Sequence, residues 1–153
     1  MPQPLSLEHV FDLSVEVASP FDIGEVGLGE RRIIAIGAGV ASGPRLTGRI
    51  LPGGADYQII RPNGLTELHA RYVIETDDGA LIYVENNGIR FGALEDIARL
   101  KRGEPVPPER IYFKAVPKFE TAAPAWRWMM EAIFLCTGIR KPASVELSVY
   151  RVG

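Results

Sequence analysis

The sequence predicts an all-β fold with minor helix: one domain over residues 1–153, built as an antiparallel barrel of about eight or nine strands with one or two short helices. Three observations carry that expectation. The first strand-like segment alternates apolar and polar residues with a period of two. Two turn sequences, Arg61-Pro62-Asn63-Gly64 and Thr76-Asp77-Asp78-Gly79, join three alternating runs into a meander. Turn signals then recur about every 8–14 residues with no strand-helix alternation, which argues against a parallel α/β sheet. Closure into a barrel removes exposed strand edges, and a two-sheet sandwich is the alternative that meets the same pattern.

Taken in order, residues 5–17 place Leu5, Leu7, Phe11, Leu13, Val15 and Val17 on one face and Ser6, Glu8, Asp12, Ser14 and Glu16 on the other, the mark of a half-buried strand. A glycine-rich turn at Gly24, Gly27 and Gly29 leads to a strand at 31–37 with apolar residues on both faces. Short strands follow at 46–51 and 55–60, then longer ones at 65–76 and 80–91. Between Gly92 and Gly103 the period changes. Leu94, Ile97 and Ala98 share a helical face, and Lys101 and Arg102 occupy the last turn, where cations suit the helix dipole. A strand at 111–116, a helical turn within 121–132 opened by Thr121 and Pro124, and strands at 133–137 and 145–152 complete the chain.

The chain has 153 residues, and folding at that length buries roughly 70% of the unfolded surface, enough for one sizeable core. Its 17 basic and 19 acidic residues give a net charge of −2, so nothing supplies the positive field that a nucleic-acid backbone demands. The N-terminus lacks a basic, then apolar leader, and no apolar run reaches the roughly 18 residues of a membrane span. A single cysteine, Cys136, excludes an internal disulfide. These readings place the protein in the cytoplasm, with neither nucleic acid nor membrane as partner. Gly37 to Gly43 imitates a dinucleotide fingerprint, but the third glycine comes one residue late and Pro44 stands where a helix should open. With His9 and His69 sixty residues apart and no Cys/His spacing, no metal site and no cofactor are expected.

The turn at 61–64 permits a sharper expectation. A four-residue loop sets Ile60 opposite Leu65 and Asp56 opposite His69; pairing Thr76 with Gly79 sets His69 opposite Asn86 and Arg71 opposite Val84. Asp56, His69, Arg71 and Asn86 then cluster across three strands. A carboxylate beside an imidazole moves protons, and a nearby guanidinium holds an oxyanion, which together serve proton transfer without a cofactor. The opposite face carries Tyr57, Ile59, Leu68, Ala70, Tyr72, Ile74, Leu81 and Tyr83, so the polar set also fits a solvated outer surface, and a one-residue slip in either hairpin breaks the cluster. Glu120, near a barrel mouth, is a fourth candidate acid or base. Tyr57, Asn86 and Trp128 are the candidate ligand contacts.

The run from Gly43 to Tyr57, followed by Ala70-Arg71-Tyr72, Thr76 to Ala80, Tyr112-Phe113, Pro117 to Thr121 and Val149-Tyr150, resembles the domain of unknown function 3237 family, also catalogued as uncharacterised protein family 0311. The resemblance spans nearly the whole chain. It implies an antiparallel barrel similar to allene oxide cyclases and dirigent proteins, which enclose small apolar molecules and guide cyclisation without a cofactor. This chain departs from that pattern with Tyr57 in place of tryptophan, His69 in place of aspartate and Met130 in place of asparagine. The functional expectation is a cofactor-independent lyase or isomerase acting on a small apolar, aromatic or polyketide-like molecule. Its alternatives are a non-catalytic small-molecule binder and a structural barrel. A homo-oligomer is expected from the doubly apolar strand near Ile33 to Ile36.

Overall fold

The computed structural model describes residues 1–153. Nine strands form: β1 Leu7–Val17, β2 Phe21–Glu25, β3 Glu30–Ser42, β4 Gly48–Ile60, β5 Thr66–Thr76, β6 Leu81–Phe91, β7 Tyr112–Glu120, β8 Phe134–Arg140 and β9 Ser144–Val152. Helix α1 spans Leu94–Lys101, and single 3-10 stretches occupy Pro108–Arg110 and Pro124–Met130. All neighbouring strands are antiparallel. The order β1-β9-β8-β7-β6-β5-β4-β3 closes on itself because β1 also pairs with β3, from Val17↔Ile36 to Asp12↔Ser42. This is the expected barrel, with eight strands in the wall and one extra. The extra strand, β2, prolongs the line of β1 along the same edge of β3, and the Ala18 N–H donates to the Ala35 carbonyl at 3.2 Å where the two meet. No helix is long and apolar enough to cross a membrane.

The structure adds β2 and extends β3 to Ser42 beyond the sequence reading, and two further departures have local causes. The strands expected at 46–51 and 55–60 are one strand, β4, which begins at Gly48 and is bent by a bulge between Leu51 and Ala55. In β1 the pairing with β9 skips from His9 to Phe11, so Val10 is an inserted residue and both Val10 and Phe11 are fully buried. A bulge reverses the alternation on its far side. Leu7 is accordingly exposed, whereas Phe11, Leu13 and Val15 keep the inward face that periodicity assigned to them.

The interior is one apolar cluster running through the barrel, from Leu13, Val15, Ile36 and Leu147 to Phe11, Phe119, Met129 and Phe134. Phe119 meets Phe11 and Phe134 edge-on, with ring centroids 5.9 and 5.2 Å apart, the favoured packing for aromatic quadrupoles. Each end has a cover. The 3-10 stretch Pro124–Met130 follows β7 and inserts Met129, with Trp126 and Trp128 packed beside it. At the other end α1 presents Ile97 and Leu100, which join Val106 in a second small core against Ile60 and Ile111. The helix face differs slightly from the expected one: Leu94 is exposed, and Asp96 is buried where it accepts from Arg99 at 3.0 Å and pairs with Arg110 at 3.1 Å. That pair anchors α1 to the turn preceding β7.

Ile82 has no solvent exposure and is the second residue of β6. Ile82→Ala should cost about 2–5 kcal/mol, measured by urea unfolding, because a closed wall cannot collapse onto the void.

Candidate functional site

Which side chains meet inside the barrel is decided by the two hairpins. In the first, the Arg61 N–H donates to the Leu65 carbonyl and the Gly64 N–H to the Arg61 carbonyl, both at 2.9 Å. The second repeats this geometry, Thr76 with Ala80 and Gly79 with Thr76, again at 2.9 Å. Each loop therefore contains three residues, the last a glycine with φ of +89° (Gly64) or +88° (Gly79). This turn-plus-bulge form is available because glycine adopts positive φ without penalty. The expected even-numbered loops are corrected to odd ones, and each correction reverses one strand relative to its neighbour.

The resulting register is Asp56↔Ala70 and Ala70↔Asn86, with Ala55↔Arg71 and Arg71↔Glu85 one step away. The two reversals cancel between β4 and β6, so Asp56 and Asn86 do share a face, and it is the inner one. They do not cancel for β5. His69 and Arg71 turn outward, away from the carboxylate they were expected to flank. The His69 ring contacts Asn87 (Nδ1 to Oδ1, 3.1 Å), and Arg71, 59% exposed, lies 4.0 Å from Glu85. Leu68, Ala70 and Tyr72 take the interior positions instead.

The inner face encloses a cavity of about 60 Å³ near the α1 end of the barrel. Val15, Ile34, Ile36, Leu68, Phe113 and Leu147 make it mostly apolar; Asp56, Gln58, Tyr72, Asn86, Arg90 and Arg140 contribute its polar groups. Asp56 is the most constrained of these. Pairing between β4 and β5 lapses over Tyr57–Gln58 and Leu68–His69, and the His69 backbone N–H donates to Asp56 Oδ1 at 3.0 Å. Gln58 Nε2 donates to Oδ2 at 2.8 Å. Desolvation nevertheless dominates: burial raises the Asp56 pKa, against the opposing pull of these hydrogen bonds and of the Arg90 charge.

Arg90 is 4% exposed and lies over the Phe113 ring, 5.6 Å from its centroid. Burial pushes its pKa down to about 10, which leaves it cationic at neutral pH. Its Nε has no acceptor, and neither do the Oε1 of Gln58 and the Oδ1 of Asn86 an available donor. Arg140 is held by the carbonyls of Lys141 and Ser144, the latter at 3.2 Å. Asn86 Nδ2 reaches only the Cys136 sulfur, at 3.8 Å, and burial raises that thiol to about 12, so it stays protonated and unreactive.

Other expected residues lie outside this cavity. Tyr57, 42% exposed, and Arg71 line a shallow groove on the outer wall beside Tyr83. Glu120 is exposed at the end of β7, paired with Tyr83. Trp128 belongs to the barrel's other end, where the Arg45 guanidinium stacks 4.0 Å from its ring centroid. Gln58, Arg90 and Arg140 were not anticipated. The signal for two of them was the period of two: Gln58 follows Asp56, and Arg90 follows Asn86, on the same face.

Because folding raises the Asp56 pKa, the native state binds more protons than the unfolded chain between the two pKa values. The burial penalty is thus absent below the unfolded value and complete above the folded one. Asp56→Asn should therefore gain stability relative to the wild type as pH rises above the ordinary aspartate value of about 4. Urea midpoints across that rise check this; a difference independent of pH would mean that the carboxyl ionises freely in the fold.

The chain can also be placed among known proteins. A family model described as a protein of unknown function (DUF3237) matches residues 5–152. A UPF0311 protein of Rhodopseudomonas palustris is 47% identical over 152 residues, 99% of each chain. A crystal structure of the conserved protein of unknown function from that organism superposes with a TM-score of 0.94 at 44% identity, covering 99% of this chain and 100% of the other. The fold extends to an enzyme from Penicillium herquei, TM-score 0.75 at 18% identity, with 100% and 98% of the two chains covered. By motif, sequence identity and barrel alike, this chain belongs to the DUF3237 family.

Proposed function

We propose that the barrel is a cofactor-independent acid-base enzyme, of lyase or isomerase type, acting on a small and largely apolar molecule held in the inner cavity. One observation carries this reading: a carboxyl group with a raised pKa and a buried guanidinium without an ion-pair partner line the same apolar space. In such a site the Asp56 carboxylate takes a proton from a carbon beside a carbonyl. The C–H electron pair forms a C=C bond to the carbonyl carbon as the C=O π pair moves onto oxygen, and the oxyanion that forms is stabilised by Arg90 in surroundings of low dielectric. The Asp56 proton then returns to a different carbon, shifting the double bond, or assists departure of a leaving group. No oxidant or reductant enters the balance. Gln58 and the His69 backbone N–H orient the carboxylate, and Tyr72, whose phenol is held protonated by burial, walls the cavity beside it.

A non-catalytic binder would have the same apolar lining, but would gain nothing from a carboxyl group tuned toward the range in which it exchanges protons. Deuterium exchange at C3 of 2-oxobutanoate, and beside the carbonyl of butanone, followed by NMR in D2O, separates the two readings. The enzyme should accelerate exchange of at least one probe by about 100-fold or more over buffer, with a rate that rises as Asp56 ionises. Asp56→Asn should abolish the acceleration, and Arg90→Met should lower it by about 100-fold. Binding of the probes without exchange, or full activity in Asp56→Asn, would refute the proposal in favour of a binder. His69→Ala and Arg71→Ala, whose side chains lie outside the wall, should retain the wild-type rate.

A further inference from the structure

The charges around the cavity do not balance. Its lining contains one carboxylate, Asp56, against two guanidinium groups, Arg90 and Arg140, and a third, Arg32, lies near enough for the three cations to repel one another. Arg32 is itself buried, donates to the Lys101 carbonyl at 3.2 Å and leaves its Nε without an acceptor. None of the three is within contact distance of a carboxylate, and the charges that act on them from further off are Asp56 on Arg90 and Arg140, and Asp22 and Glu30 on Arg32. Two acidic side chains near the α1 end, Glu30 and Asp96, are engaged by Lys101 and by Arg99 with Arg110. Buried cations are ordinarily paired, since an unpaired one forfeits its hydration with no return. Arg32 and Arg140 spend part of their donor capacity on backbone carbonyls, whereas Arg90 makes no hydrogen bond to a protein oxygen and lines the enclosed space.

We infer that the molecule bound in this cavity carries a carboxylate group, seated on Arg90 and Arg140, with a short apolar body lying against Ile34, Leu68 and Phe113. The inference rests on the reading of this cavity as the substrate site, and deepens it by naming the substrate class. Geometry selects a carboxylate over a simple inorganic anion. The guanidinium fork matches two coplanar oxygens, and most of the lining offers an ion without an apolar body nothing to contact. The free Oε1 of Gln58 and Oδ1 of Asn86 add two acceptors, which suit a hydroxyl or enol hydrogen on the same molecule. With Asp56 ionised, Arg90 and Arg140 leave the lining one net positive charge, which a single carboxylate neutralises and a dianion exceeds. In a keto acid the groups fall into complementary roles, the carboxylate fixing position and the carbonyl receiving the displaced electron pair.

Calorimetric titration with 2-oxobutanoate, its neutral amide 2-oxobutanamide, and inorganic phosphate tests this on the intact protein. The wild type should bind 2-oxobutanoate at least about tenfold more tightly than either comparison compound, the worth of one charge-assisted bidentate contact. Arg90→Met should erase the preference for acid over amide, and Asp56→Asn should retain or increase it while losing deuterium exchange. Equal binding of acid and amide, phosphate binding as tightly as 2-oxobutanoate, or no binding of 2-oxobutanoate would each overturn the inference; the first leaves the proton-transfer reading standing if butanone still exchanges. Carboxylate-dependent binding with no exchange of any probe would instead retain the anion site and remove the enzyme. The wild-type comparison requires no variant, so it decides the matter even where Arg90→Met folds poorly.

Discussion

In a closed barrel every wall residue faces either the core or solvent, and one residue more or fewer in a hairpin loop exchanges the two sets for the whole strand that follows. Everything chemical about this protein depends on that parity. Gly64 and Gly79, by adopting positive φ, fix two loops of three residues, and those loops send Leu68, Ala70 and Tyr72 inward on β5 while His69 and Arg71 face out. Closure through β1 and β3 enforces the choice, because a slipped strand would break pairing with both neighbours in a ring that has no free edge. A bulge at Val10 and another at Leu51–Ala55 then adjust where within a strand the inward face begins.

Against that apolar interior stands a polar minority concentrated near the α1 end. Phe11, Phe119, Met129 and Phe134 fill the opposite half without a polar atom to satisfy. The α1 half instead buries Gln58, Asn86 and Arg90, each with an unpaired polar atom, beside the half-buried Asp56. Such groups oppose folding, and a fold seeking stability alone would replace them with aliphatic residues of similar size. Their concentration beside a cavity, under a helix pinned through Asp96 to Arg110, is the observation on which the proposed site rests. The same low dielectric that makes these groups costly strengthens their action on a bound molecule.

The comparisons set the range over which this reasoning extends. At 44% identity and a TM-score of 0.94 the Rhodopseudomonas palustris structure shares the barrel in detail, whereas at 18% the Penicillium herquei enzyme shares the fold alone. One scaffold hosts many chemistries, so function is argued from the cavity's residues.

Alternation, two glycine-bearing turns and linked motifs were sufficient in the sequence to establish the barrel and the family, because both depend on local pattern. Asp56 and Asn86 were legible as partners for a partly fortuitous reason: two loop lengths were each misjudged by one residue, and the errors cancelled across the meander. Arg90 and Gln58 sit at the alternate positions that follow those two residues, yet nothing local marks an arginine as buried rather than solvated. Arg140 comes from a strand some fifty residues further on, and Tyr57, Glu120 and Trp128 occupy an outer groove, a strand end and the opposite cover of the barrel. The sequence by itself determined most of the strands, though not β2, and which family they build. Only the tertiary structure decided which face is inside, because that depends on φ at two glycines and on the closure of a ring whose members are distant along the chain.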